Sequence, residues 1–89
     1  MKRYYYFLTC KSKLEKNQKQ SYDYTFNCEL STNDAIDTIE KWRTALKEVF
    51  KEISNTIPNY TVKDSVLLFY YLMKTEEVDT ESPISVDFM

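Results

Sequence analysis

The sequence predicts an α+β domain: a three-stranded antiparallel sheet of order 2-1-3 (ββαβ), with one long amphipathic helix on one face and an acidic C-terminal tail. Three observations carry this. Arg3–Lys11 and Ser65–Lys74 alternate with period two and are apolar on both resulting faces. Ser21–Leu30 alternates apolar with polar residues, as a half-buried strand does. Only the stretch from Ala35 to Ile53 repeats its apolar residues at three- and four-residue steps, the signature of a helix with one buried stripe.

In the first strand Tyr4, Tyr6, Leu8 and Cys10 form one face, and Arg3, Tyr5, Phe7, Thr9 and Lys11 the other. The second set is flanked by charge, which assigns it to the open side of the sheet. Lys11–Gln20 is polar, basic and poor in β-formers, so a long mobile hairpin tip is expected, with Asn17 as its turn residue. The second strand turns Tyr22, Tyr24, Phe26, Cys28 and Leu30 inward, and Asp23, Thr25, Asn27 and Glu29 outward. Its outward charges suit an edge strand.

Ser31 or Thr32 is the expected helix cap, with Asp34 three residues after Ser31 in a capping-box-like spacing. Ala35, Ile36, Ile39, Trp42, Leu46, Val49, Phe50 and Ile53 make the apolar stripe, and Asp37–Lys41 an attractive i,i+4 pair. Asn55 in the left-handed conformation would end the helix, and Pro58 forbids its continuation. After the connection Ile57–Asp64, the third strand sets Val66, Leu68, Tyr70 and Leu72 against Leu67, Phe69, Tyr71 and Met73. Residues 1–74 thus form a single ββαβ domain. The tail 75–89 is either disordered or lays down a short strand at 84–88, where Ile84, Val86 and Phe88 alternate with Ser85 and Asp87.

Composition narrows the function classes. In 89 residues, 43% are hydrophobic and 16% aromatic, enough to build a core without disulfides or metals. With no histidine, the commonest general base, the serine and cysteine triads and most transition-metal sites are missing, so no catalytic residue, metal or cofactor is expected and the chain reads as a non-enzyme. With no glycine, phosphate-cradling loops are excluded. Cys10 and Cys28 are two thiols without a second pair, read as buried and reduced, although their like-facing positions on neighbouring strands leave a cross-strand disulfide conceivable. No apolar run reaches the roughly 18 residues of a membrane span, and the opening apolar stretch is too short for a signal peptide, so a cytoplasmic protein is expected.

One helix of about 22 residues spans roughly 33 Å and covers only one face of such a sheet. The face left over gathers Tyr5 and Phe7 with Phe69, Tyr71 and Met73, or with Val66, Leu68, Tyr70 and Leu72 if the third strand is turned the other way. Burying four or five such side chains stabilises by on the order of 10 kcal/mol before the costs of association. The tail as a lid, a homodimer through this open face, a foreign protein or a hydrophobic ligand would each cover it. A second reading adds Lys11, Lys13, Lys16 and Lys19 of the hairpin, so that the aromatic face stacks bases of a single strand while lysines hold phosphates. The net charge of −2 argues against that reading.

The Tyr4–Leu8 run, the hairpin, the single helix with its acidic start Asp34–Glu40 and the final apolar strand Val66–Leu72 resemble small ββαβ proteins carried by phages and mobile elements. Most of these have no assigned function, and some inhibit host factors or defence systems. The resemblance implies a small protein-binding inhibitor of a bacterial host defence factor, anti-CRISPR-like in action.

Overall fold

The computed structural model describes residues 1–17 and 19–89. Its strands are β1 (Lys2–Lys16), β2 (Gln20–Thr32), β3 (Thr61–Glu77) and β4 (Ser85–Phe88), and its helix is α1 (Ile39–Thr56). The α+β class holds, but the antiparallel sheet has four strands in the order β3-β1-β2-β4 rather than three in the order 2-1-3. The expected arrangement of the first three strands survives inside it. The difference is the tail, which pairs with β2 from Cys28 to Ser31 and so removes that half of β2 from the edge. The helix is too short and charged to be a membrane span, and no helix here is long and apolar enough to cross one.

The hairpin runs farther than composition suggested. Lys11–Lys16 and Gln20–Thr25 are paired strand, in register from Lys11 opposite Thr25 to Lys16 opposite Gln20. Polar residues are tolerated there because Gln20–Thr25 is exposed on both faces, although Ser12 and Leu14 are buried, and cross-strand pairs such as Lys11–Asp23 (3.8 Å) offset the low β-propensity. Asn17 does take the left-handed conformation (φ 58°), and the Lys19 amide donates to Lys16 O. Gln18, part of the expected tip, lies outside the described residues. Fifteen residues of β1 reach about 50 Å, which sets the 48 Å long axis of the molecule. The 18-residue helix reaches about 27 Å and covers only the proximal half.

The helix starts later than the spacing of Ser31 and Asp34 implied. Ser31 and Thr32 are still in β2, and Asp34 merely donates its amide to Thr32 Oγ1 (3.3 Å). Thr38 is the cap: it is extended (φ −134°, ψ 159°), and its Oγ1 accepts the Lys41 amide at 3.2 Å. The bond is exposed, so Thr38→Ala should cost about 1 kcal/mol and lower the thermal midpoint by roughly 4–8 °C. An unchanged melting curve would place the cap elsewhere. Because the helix begins at Ile39, that residue falls outside the buried stripe and is 71% exposed. At the other end the helix runs through Asn55, which is not left-handed, to Thr56, and Ile57 closes it by donating to Ile53 O. The expected Asp37–Lys41 pair forms at 3.1 Å, just across the cap.

The core lies between α1 and the proximal sheet. Tyr6, Leu8 and Cys10 of β1, with Phe26, Cys28 and Leu30 of β2, pack under Ala45, Val49 and Ile53 of α1, with Ile36 closing one end. Ile84, Val86 and Phe88 dock along its far side, while Ser85 and Asp87 face out. The Tyr6 hydroxyl accepts the Ile36 amide at 2.9 Å, which pins the loop before the helix to the sheet. Cys10 and Cys28 are free, buried thiols that face diagonally, since Cys10 is opposite Phe26 and Cys28 opposite Leu8. A hydrogen bond with Cys10, then burial, pushes the Cys28 thiol far above its ordinary range, so it stays protonated and inert.

Arg3 departs most from expectation. Assigned to the open side with Tyr5 and Phe7, it is buried (6% exposed). Its guanidinium donates to Asn33 Oδ1 (2.7 Å), Ser31 O (3.1 Å) and Ser31 Oγ (3.0 Å), and also to Ser82 O (2.8 Å) and Pro83 O (2.7 Å). The planar fork of donors suits such a cluster of neutral oxygens. Asn33 completes it, accepting the Ser82 amide on Oδ1 and donating to Lys2 O. This clip fastens the tail.

Candidate interaction surface

The tail is not a lid. It lies along β2, beside the core, and the open face of β1 and β3 is bare among the described residues. Three register shifts between β1 and β3, each an extra residue in β3, decide which side chains reach that face. Phe69 is opposite Thr9 and Tyr71 opposite Phe7, so both join the open side, while Leu67, Tyr70 and Leu72 are opposite the buried Cys10, Leu8 and Tyr6. Strict alternation therefore fails across Ser65–Lys74: an extra residue in a strand leaves one position unpaired and resets the alternation beyond it.

Four of the five predicted contact residues come together. Phe7 and Tyr71 stack with centroids 5.3 Å apart, and Phe69 tilts against Tyr71 at 5.7 Å. Tyr5 flanks them, its hydroxyl donating to Glu76 Oε2 at 2.9 Å, with the Lys74 ammonium 4.7 Å from its ring centre and bonded to Glu76 Oε1 at 2.9 Å. Met73 is the extra residue between the pairs Tyr5–Lys74 and Tyr6–Leu72, and it sits on the strand edge, 36% exposed.

The Lys74 hydrogen bond, then that of Tyr5, holds the Glu76 carboxyl below the ordinary glutamate range. A lowered carboxyl contributes its stabilisation above the unfolded pKa and loses it as the pH falls through the folded one. The group is fully exposed, so screening keeps the effect local. Glu76 should therefore titrate below a free glutamate, and the Tyr5 ring signals should move with it in a carboxyl-detected NMR titration. Titration at or above the free value would show that the Tyr5–Glu76–Lys74 cluster does not form in solution.

The hairpin lysines do not make a track. Lys11 and Lys13 share the face of Phe7, but Lys11 bridges Asp23, and Lys13 is six residues from Phe7, about 20 Å along the strand. Lys16 lies 6.0 Å from the centre of the Tyr60 ring, near Tyr22 on the helix side, and Lys19 is in the turn. Among the described residues no three His, Cys, Asp or Glu side chains cluster as a metal site.

Sequence reasoning missed how far β3 is exposed on both sides from Leu68 to Glu77, with Val62, Ser65 and Leu67 partly covered before it. Val66, Leu68, Phe69, Tyr70, Tyr71 and Leu72 are each about half exposed, Leu68 and Phe69 at 54%. The helix packs its buried residues on β1 and β2, while from β3 Val62 and Leu67 join the rim of the core and Tyr70 meets Trp42, ring centres 4.4 Å apart. One signal was present in the sequence: Ser65–Met73 holds nine residues with no charge, proline or glycine. Comparisons with protein-family models, with curated proteins and with solved structures give no match for this chain, so its function is argued from this surface.

Proposed function

We propose that this chain is a small non-enzymatic protein-interaction module that engages a protein partner through the open face of β1 and β3. The observation that carries the reading is the contiguous stack of Phe7, Tyr71 and Phe69, which no segment among the described residues covers. Aromatic side chains on a rigid sheet lose little conformational freedom on binding, and they dominate contact energetics where water is expelled around them. Tyr5, held by Glu76, and Lys74 supply a polar rim that orients a partner. Action as an inhibitor of a bacterial defence factor rests on the resemblance to phage-borne ββαβ proteins alone.

Single-stranded nucleic acid is the competing ligand, since exposed aromatics stack on bases. The scattered, partly paired lysines and the net charge of −2 favour a protein. Two assays separate them. Phe69→Ser with Tyr71→Ser should abolish capture of a partner from host extract at unchanged circular dichroism. Fluorescence anisotropy with an oligothymidine should show no binding by the wild type. A partner retained by the variant removes the face from the reading. Oligonucleotide binding that falls steeply with salt, and that is lost on changing Lys11 and Lys13 to Glu, replaces the protein ligand with nucleic acid.

A further inference from the structure

The outer edge of β3 has no neighbour among the described residues, and it lacks the devices that keep edges apart. Monomeric proteins blunt a sheet edge with charge, proline, short length or bulges. β3 is 17 residues long and holds neither charge nor proline from Ser65 to Met73. Its bulges interrupt the ladder but leave Phe69–Leu72 as an unbroken run. A bare, apolar edge of this kind is a template for another strand.

We infer that the occupant is a second copy of this chain, paired antiparallel through β3 across a two-fold axis near Phe69 and Tyr70, giving one eight-stranded sheet with both helices on the same side. The strand fits a self-complementary seam. Its apolar block Val66–Met73 is bounded by Lys63–Asp64 on one side and Lys74–Glu77 on the other. Reversal about its centre lays apolar residues on apolar residues. It also brings Asp64 of each copy towards Lys74 of the other, and Lys63 towards Glu76, so opposite charges meet at both ends of an isologous contact. A foreign strand would have to match this pattern by separate design.

The seam buries the edge backbone of β3 and the flanks of the half-exposed side chains of Val66–Met73, and the helices enlarge it towards the roughly 800 Å² per partner of a standard stable interface. The helix contributes a flank: Trp42, Leu46 and Phe50 form its half-buried row on the β3 side, and the two such rows would close over the seam. The inference is separate from the partner reading above. The seam uses the strand edge, so the open face stays free. Across the axis the two Phe7–Tyr71–Phe69 stacks then lie on one side of a single sheet.

Sedimentation equilibrium of the full chain, from about 1 to about 200 µM, tests the seam without any partner. The expected species has twice the 10.7 kDa mass of one chain. Changing Val66→Lys and Leu68→Lys, two exposed positions outside the Phe7–Tyr71–Phe69 stack, should weaken association at least about 100-fold while circular dichroism is unchanged. Amide exchange on the wild type needs no variant: β3 amides should gain protection as concentration rises through the dimerisation midpoint, and β2 and β4 amides should not. A wild type that stays monomeric throughout overturns the inference. So does a folded double-lysine variant that dimerises as tightly as the wild type, or a dimer in which β3 amides gain nothing. A monomer would leave the partner reading standing, whereas a Phe69→Ser, Tyr71→Ser variant that still dimerises and still captures the partner would sink that reading alone.

Discussion

Arg3→Met should release the C-terminal strand and destabilise the protein by about 3 kcal/mol. The substitution keeps much of the apolar stem and removes the five donated hydrogen bonds. Breaking a buried charged network by deleting one member leaves its partners desolvated and unsatisfied, at roughly 1–3 kcal/mol for each group that cannot find water. Here the loss has a ceiling. The carbonyls of Ser82 and Pro83 belong to a segment that can peel away and hydrate, so the cost cannot exceed the free energy that docks β4. The first sign should therefore be local: the Met89 amide, which donates to Asn27 O at 3.1 Å, should exchange far faster while amides of β1 keep their protection. Uniform acceleration across the sheet would mean that Arg3 supports the whole fold rather than fastening the tail.

Leu30→Ala should cost about 3–4 kcal/mol, the largest effect expected of a single truncation in this chain. Leu30 is fully buried, opposite Tyr6 on one side and Val86 on the other. β2 is held between two strands there, so the cavity cannot collapse readily. Leu72→Ala is the matched control. Leu72 is apolar and in the sheet, but about half exposed, so its truncation should cost a monomer less than about 1 kcal/mol. Urea denaturation of both variants at low concentration decides the matter. Similar shifts in midpoint would show that the core extends over β3, and that its edge is not bare in solution.

The contrast between these two leucines shows how far the sequence could be read. Leu30 belongs to a clean alternation, Tyr22 to Leu30, that identifies its buried side without tertiary information. Leu72 belongs to a run apolar at every position, and such a run has two explanations: burial on both faces or exposure on both. The second holds for Leu72, because the core under the helix takes Val62 and Leu67 from β3 and leaves Leu68–Met73 largely exposed. Phe7, Phe69 and Tyr71 share one face, as one of the two expected arrangements had it, whereas Met73 and Leu68, placed by strict alternation, fall out of the pairing, because bulges are set by how two strands fit and not by the spacing within one.

Arg3 marks the same limit. An arginine at the start of a strand reads as a solvated flank, since burial of a guanidinium requires several oxygens to converge on it. Those oxygens come from Ser31, Asn33, Ser82 and Pro83, about 30 and 80 residues away. The helix cap failed for a local reason of the same kind. Ser31 and Thr32 are good caps, but β2 keeps them through its ladder with β1, and Thr38 caps the helix instead.

Periodicity and turn chemistry were enough for the α+β class, the hairpin with Asn17 at its turn, the single helix and the central position of β1. These follow from interactions between residues close in the chain, where spacing and geometry are directly linked. The fourth strand, the buried arginine, the bulges and the bare edge of β3 depend on which distant surfaces meet. Many pairings of similar energy compete for the same apolar faces, and only the whole packed molecule selects among them.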